Sequence, residues 1–335
     1  MTNGPAPDPI TPDPTAPRLT THHPTASPSA VPGAARRPLG KAVWVALGIV
    51  YVVWGSTYLG IRVVVETMPP FLSAGARFVV AGLLLAAFLV WRHGPGVLRV
   101  NRPAELGSAA LVGLLLLVGG NGLVVLAETS VPSGLAALLI AVVPAWVVIL
   151  RTVAGERPGA GAYAGVLLGL AGLAVLTLPG LSGETRLGGV LTVIVAAFLW
   201  ALGSFSSSRI PMPSNPFTAS VYEMVAGGAG CLVTGLARGE HHGLDVGAFS
   251  ARSWTALGYL LVFGSLVAFT AYAWLLQSAP LSLVATYAYV NPVVAVVLGA
   301  LVLGESLTWA IVLGGGVVVA GVCLIVRTES TERRN

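Results

Sequence analysis

Residues 140–156 read IAVVPAWVVILRTVAGE, and residues 288–305 read AYVNPVVAVVLGALVLGE. Each stretch is an apolar run that contains one proline and ends in Gly-Glu. The match continues outward, because a shift of 146 to 149 residues also brings other landmarks together: Trp54 falls on Trp200, Pro70-Phe71 on Pro216-Phe217, Gly82 on Gly228 and Pro132 on Pro280. The chain therefore consists of two matched halves.

The composition indicates a membrane protein. Apolar residues make up 55% of the chain and charged residues only 9%, whereas soluble domains carry about 25% charged residues. A helix needs ~20 mostly apolar residues to span a bilayer. Ten stretches meet this requirement, namely 44–66, 70–91, 105–127, 132–150, 160–179, 187–206, 216–237, 254–276, 281–302 and 308–327. The short connections between them leave no room for a soluble catalytic domain.

The two ends of the chain differ from this pattern. The first 38 residues hold ten of the 23 prolines, and such a segment cannot bury a core. The predicted organisation is a disordered Pro-rich tail over 1–40, a first five-helix repeat over 41–180, a second over 187–327 and a cytoplasmic C-terminal tail over 328–335.

The distribution of basic residues predicts the topology. With the N-terminus in the cytoplasm, twelve Lys and Arg residues lie inside and three lie outside, Arg186, Arg238 and Arg252, which fits the positive-inside rule. Both termini are thus predicted to be cytoplasmic. Because five is odd, the second half enters the membrane from the opposite side. The expected fold is an all-α membrane protein of ten transmembrane helices in two inverted five-helix repeats.

Four motifs resemble the EamA-type drug/metabolite transporter superfamily. They are YVVWGSTYLGIR at 51–62, PPF at 69–71 leading to ARF at 76–78, VPSGLA at 131–136 leading to Pro144, and ATYAYVNP at 285–292 ending in Gly304-Glu305. Their order and spacing cover roughly residues 42–327. The resemblance implies ten spans and export of small metabolites or toxic compounds, and it is closest to bacterial inner-membrane members of unassigned substrate.

Two matched prolines, Pro144 and Pro292, lie inside predicted spans as candidate helix kinks. Proline has no N–H, so the carbonyls of Ile140 and Ala288 lose their helical partners. Such carbonyls are tolerated at this depth only beside protein or a wet cavity. They either line a substrate path or mark simple packing kinks.

Aromatic and amide side chains within the spans are the candidate substrate-binding residues. Buried indole and phenol groups seek a polar partner or water, and they suit stacking on a flat or amphipathic solute. The candidates are Tyr51, Trp54, Asn121, Trp200, Tyr222, Tyr287, Tyr289 and Asn291. For any one of the aromatic residues, interhelical packing is an equal alternative.

Two intramembrane charges, Arg77 and Glu223, occupy equivalent places in the two repeats. Because the repeats are inverted, the two residues are expected about 10 Å apart in depth, which argues against a direct ion pair. Arg77 is predicted to attract anionic groups or to pair with Glu66 or Glu128. Glu223 is the candidate for proton coupling, with a purely structural carboxylate as the alternative.

These features together predict a secondary active transporter in a bacterial cytoplasmic membrane, with export as the expected direction. Its partners would be a small-molecule substrate, membrane lipid and protons as coupling ion. An uptake permease, an exchanger or a non-transporting scaffold are the alternatives. No enzyme, metal site or cofactor is expected, because all five histidines and every aspartate fall in tails or loops. No nucleic-acid partner is expected either, because the net charge is only +5 and the basic residues are scattered at helix ends.

Overall fold

The computed structural model describes residues 1–2, 4, 40–177, 187–303 and 308–332. By their contacts, Met1–Pro38 and Leu39–Asn335 form separate units. Most of the predicted Pro-rich tail, and residues 333–335 of the predicted C-terminal tail, lie outside the described residues. The account that follows concerns the second unit.

The described part of the second unit is helical and contains no strand. Its longer helices are α1 Lys41–Val64, α2 Pro70–His93, α3 Pro103–Ala127, α4 Ser133–Val153, α5 Ala160–Thr177, α6 Leu187–Ser207, α7 Pro216–Ala237, α8 Ala251–Ser278, α9 Tyr287–Leu303 and α10 Trp309–Glu332. Short helical turns cover Pro95–Leu98, Val246–Ala248 and Leu281–Val284.

Local sequence explains where several helices begin. Pro70, Pro103 and Pro216 each stand at the start of a helix, where the missing N–H costs nothing and the fixed φ already suits the helix. The side chain of Asn215 accepts a hydrogen bond from the Phe217 N–H at 2.9 Å and caps α7, and Ser250 caps α8 in the same way.

Seven of these helices, α1 to α4 and α6 to α8, are long and apolar enough to cross a membrane. α9 and α10 contain shorter apolar stretches, Val290–Val302 and Val312–Gly321. The prediction of a helical, multi-span architecture is confirmed at this level, whereas ten spans in two inverted repeats remain a prediction.

Two corresponding helices, α3 and α8, widen in their middle into π-helical geometry. The wide segments are Leu114–Gly122 in α3 and Leu260–Phe269 in α8. π-Helical turns are uncommon and occur frequently at functional sites. The helices that carry the two candidate prolines are also irregular. α4 is interrupted at residues 141–142 before Pro144, while α9 continues through Pro292 and the break lies upstream, at residues 285–286.

Packing between the halves follows a regular scheme. α2 packs on α7 and α5 on α10, whereas α1 contacts α8 and α9, and α6 contacts α3 and α4. Helices α1 to α5 correspond in order to α6 to α10. When each helix is exchanged for its equivalent, every contact in this scheme becomes another contact of the same scheme. Glycine permits close approach in this scheme, since a Cβ added at Gly228 on α7 would lie 2.7 Å from the Val79 nitrogen on α2.

Candidate functional site

A cavity opens where the two halves meet, with lining residues from α1, α2, α3, α4, α6, α8 and α9 and with about 630 Å³ of empty space that is partly open to solvent. The structure brings six of the candidate residues together in its wall: Trp54, Arg77, Asn121, Trp200, Tyr287 and Asn291. Both π-helical segments also contribute, through Asn121 on α3 and Gly264 on α8.

Part of the cavity wall is formed by Trp54, Trp200 and Tyr287, whose rings cluster with the buried ring of Tyr272 behind them. The ring of Trp54 lies 5.3 Å from Trp200, 4.7 Å from Tyr272 and 5.2 Å from Tyr287, measured between centroids. Most of these contacts are edge-on or tilted, as aromatic quadrupoles prefer. The cluster joins α1 to α6, α8 and α9, so it spans the boundary between the halves.

Hydrogen bonds fix the polar edges of this aromatic cluster. Nε1 of Trp54 donates to the Gly264 carbonyl at 3.2 Å, and Nε1 of Trp200 donates to the Tyr272 hydroxyl at 3.0 Å. The Tyr272 hydroxyl is also 2.6 Å from Oγ of Ser204. Both indole N–H groups are therefore occupied, and the two tryptophans present mainly apolar surface to the cavity.

Arg77 is the charged group of the cavity wall. Its side chain is 4% exposed, and Nη2 donates to Oδ1 of Asn121 at 2.8 Å. Its Cζ lies 4.2 Å from the centroid of the Phe78 ring, and its Nε has no hydrogen-bond partner in the part of the chain that is described. Glu66, one of the two carboxylates expected as alternative partners, instead lies 3.7 Å from Arg252, and none of the ion pairs found among the described residues joins Arg77 to the other, Glu128.

Asn291 and Tyr51 tie α1 to α9 beside the cavity. In the orientation that suits its neighbours, the Asn291 amide nitrogen donates to the carbonyls of Tyr287 at 3.0 Å and Tyr51 at 3.1 Å. The Tyr51 hydroxyl bonds to the hydroxyl of Thr286. Tyr51 is not part of the cavity lining, so its position indicates a role in this seam between helices.

The remaining candidates lie apart from the cavity. The Tyr222 hydroxyl donates to the Leu98 carbonyl at 2.6 Å, which directs the ring to the turn after α2. Glu223 is 2% exposed within the bundle, and its Oε2 has no hydrogen-bond partner among the described residues. Pro144 and Pro292 are buried, and the side chain of Tyr289 lies outside the described part of the structure.

Sequence reasoning missed Thr57, Tyr58, Ile61 and Phe78, which also line the cavity. A signal for three of them was available. Thr57, Tyr58 and Ile61 follow Trp54 at intervals of three, four and seven residues, which places all four side chains on one face of a helix. Once Trp54 is a candidate, that face is the expected lining.

Beyond one end of the bundle, an ion cluster of Arg151, Glu156 and Arg209 connects the two halves. Nε of Arg151, at the end of α4, lies 2.5 Å from the Glu156 carboxylate, and Arg209, just after α6, pairs with its other oxygen. Partial burial opposes ionisation of Glu156, but the two guanidinium groups outweigh it and lower the pKa of this carboxyl. The cluster holds the ends of α4 and α6 together.

The chemistry of the cavity is that of cationic, amide and aromatic side chains. In the part of the chain that is described, no group of three His, Cys, Asp or Glu side chains is placed to hold a metal ion. The cavity instead combines one cationic corner, two amides and an aromatic wall, which is the pattern of a small-molecule binding site.

Comparison with known proteins agrees with this description. The model of the EamA-like transporter family matches residues 42–178 and again residues 187–327. The "Uncharacterized inner membrane transporter YedA" of Escherichia coli (strain K12) is 40% identical over 283 residues, which cover 84% of this chain and 89% of that protein.

Two further similarities extend the comparison. The "Probable terminal-alkyne amino-acid exporter" of Streptantibioticus cattleyicolor is 29% identical over 298 residues, covering 88% of this chain and 97% of the relative. A solved crystal structure aligns with a TM-score of 0.63 at 20% identity, over 86% of this chain and 98% of the other. At that identity the structural likeness shows the fold alone.

Proposed function

The chain belongs to the EamA-like transporter family, as its motifs indicated, and we propose that it is a secondary active transporter that works by alternating access. Its cargo would be a small metabolite, an amino-acid-like compound or an amphipathic drug, and its direction would be export across the cytoplasmic membrane. The observation that carries this proposal is the cavity between the two halves, with a buried charge and an aromatic wall.

The internal symmetry supports alternating access. The family model matches each half separately, and π-helical segments occur in the corresponding helices α3 and α8. The packing scheme between the halves is also symmetric, because each of its contacts between two helices recurs between their equivalents. If each half contributes five spans, the halves have opposite orientations in the membrane. When one half rocks against the other, a central site can then open first to one side of the membrane and then to the other.

The ion cluster suggests which side is closed in this conformation. Positive-inside topology would put Arg151, Glu156 and Arg209 on the cytoplasmic side. The lining residues of α1 run from Trp54 to Ile61, away from the cytoplasmic start of that helix at Lys41. The cavity would therefore face outward, and release of the ion cluster would accompany opening to the cytoplasm.

Coupling to protons is assigned in this proposal to Glu223. A carboxylate inside a span is costly and commonly serves an ion pathway, and Oε2 of Glu223 lacks a hydrogen-bond partner among the described residues. The alternative is a structural role. Reconstituted protein should move substrate when a pH gradient is imposed, and Glu223→Gln should abolish that response without unfolding the protein.

The experiment is a liposome screen of amino acids, their derivatives and amphipathic drugs, with and without a pH gradient. Glu105→Gln, which removes a carboxylate near the start of α3, is the matched control. A Glu223→Gln protein that couples as well as wild type rejects the assignment of Glu223. Flux of no compound under any gradient favours a non-transporting scaffold, and net accumulation in the opposite direction favours an uptake permease. Reporter tags on both termini test the proposed cytoplasmic orientation.

A further inference from the structure

The cationic corner of the cavity, formed by Arg77 and Asn121, narrows the class of substrate. We infer that the transported solute carries a carboxylate on an apolar, ring-sized body, and that Arg77 and Asn121 bind the carboxylate. This inference rests on the proposed transport function and adds the chemistry of its cargo. It gives Arg77 a specificity-determining role.

The first argument is charge balance around Arg77. A buried cation is costly unless it is paired with an opposite charge. The side chain is 4% exposed, yet the side-chain contacts identified for it among the described residues are neutral: the Asn121 amide oxygen and the Phe78 ring. None of the ion pairs among these residues includes Arg77. An anionic occupant of the cavity would supply the missing charge.

The second argument is the geometry of the donors. A guanidinium group binds a carboxylate best through two parallel N–H groups. Nη2 of Arg77 is bonded to Asn121, while the buried Nε lacks a hydrogen-bond partner in the described chain. Oδ1 of Asn121 accepts the hydrogen bond from Arg77, so the Asn121 amide nitrogen is left as a donor. We expect this nitrogen to donate to the same anion that Arg77 binds.

The third argument is the chemistry of the aromatic part of the wall. The indole N–H groups of Trp54 and Trp200 are satisfied by Gly264 and Tyr272, so these residues contribute ring surface rather than donors. An apolar body would pack there, while the strongest polar recognition stays at Arg77. An uncharged or cationic amphiphile would fill the same space but leave the guanidinium without a counter-charge.

The test uses two acids and their uncharged amides of nearly equal size. The pairs are 3-phenylpropionate with 3-phenylpropionamide, and N-acetyl-L-phenylalanine with N-acetyl-L-phenylalaninamide. Equilibrium binding to the full-length protein in detergent at pH 7 is measured by quenching of tryptophan fluorescence. Each acid should bind about tenfold or more tightly than its amide, as a charge-assisted hydrogen bond predicts.

Three variants separate the role of Arg77 from a general loss of fold. Arg77→Gln should bring acid and amide to equal affinity. Asn121→Asp should do the same by giving Arg77 an internal carboxylate, and it should melt at or above the wild-type temperature, so that its loss of binding cannot be assigned to unfolding. Arg92→Gln, which removes an exposed arginine at the end of α2, should keep the full preference for acids.

The outcomes distinguish this inference from the proposed transport function. Amides that bind as tightly as acids, an acid preference that survives both Arg77→Gln and Asn121→Asp, or acids that do not bind at all would each overturn the inference. The same acids are then tested for flux in liposomes. Acid binding that depends on Arg77 but is accompanied by no flux would preserve the inference and count against transport.

Discussion

Gly113 sits where α3 and α7 approach most closely, and Gly113→Ala should destabilise the protein. A Cβ at this position would contact the backbone of Glu223, at 2.7 Å from its Cα and 2.9 Å from its carbonyl carbon, as well as its carbonyl oxygen. Ordinary contacts begin near 3.4 Å and the carbonyl oxygen of Glu223 is the nearest atom, so the helices must separate by roughly 1 Å at this point. The neighbouring atoms are backbone, so no side-chain rotation can relieve the contact.

The expected cost follows from two opposing terms. Overpacking costs about 1–3 kcal/mol, and a rigid backbone contact belongs at the upper end of that range. Alanine in place of glycine regains about 1 kcal/mol of helix propensity. The net destabilisation is therefore about 2 kcal/mol, which lowers a melting midpoint by a few degrees.

The assay is a melting curve of the purified protein in detergent, followed by the size-exclusion profile after heating. Gly107→Ala is the matched control, because it lies on the same helix and a Cβ there meets no atom within 4 Å. That variant should melt at or slightly above the wild-type midpoint. If Gly113→Ala proves as stable as Gly107→Ala, the close approach of α3 and α7 is not as described.

Two further perturbations concern groups outside the spans. The Glu240 carboxylate accepts hydrogen bonds from the N–H groups of Phe71 at 3.0 Å and Leu72 at 3.0 Å, so Glu240→Ala should lose about 1 kcal/mol of capping energy at α2. Glu105→Ala serves as the control. An unchanged melting midpoint of Glu240→Ala refutes the capping role. The pKa of Glu156 is lowered in the folded protein, so its contribution to stability is present above the ordinary carboxyl pKa and is lost as the pH falls through the lowered value. Glu156→Gln should thus melt at a lower temperature than wild type at pH 7. The loss of stability should be less than ~1 kcal/mol because the carboxyl group is partly exposed. The two melting curves should converge in acid, and a difference that grows in acid contradicts this reasoning.

The sequence predicted the positions of the helices better than their faces. The span predicted over 216–237 coincides with α7 Pro216–Ala237, because prolines and turn residues mark helix ends in membrane proteins as they do elsewhere. Which side of each helix faces the cavity was harder to derive. In a bilayer, residues that face lipid and residues that face other helices are both apolar, so the periodicity that reveals a buried face in soluble proteins is weak.

Tyr222 and Trp54 illustrate this limit. Both are aromatic residues inside predicted spans, and residue type alone does not show which of them faces the cavity. In the structure Trp54 lies at the centre of the aromatic cluster, whereas the hydroxyl of Tyr222 reaches a backbone carbonyl in the turn after α2. The π-helical segments were equally hidden, because Leu114–Gly122 and Leu260–Phe269 are mainly apolar runs like the spans around them.

The π-helical segment of α3 lies between contacts to the two buried ionisable residues, Arg77 and Glu223. Asn121 lies inside that segment and holds Arg77 on α2, and Gly113 immediately precedes it and packs against the backbone of Glu223 on α7. Because π-helical geometry is uncommon and occurs frequently at functional sites, we expect a displacement of α3 at Gly113 to be transmitted through this segment to Asn121. We therefore expect Gly113→Ala to weaken the binding of 3-phenylpropionate as well as stability, although Gly113 does not line the cavity. Unchanged affinity in a destabilised Gly113→Ala protein would show that the two ends of this segment act independently.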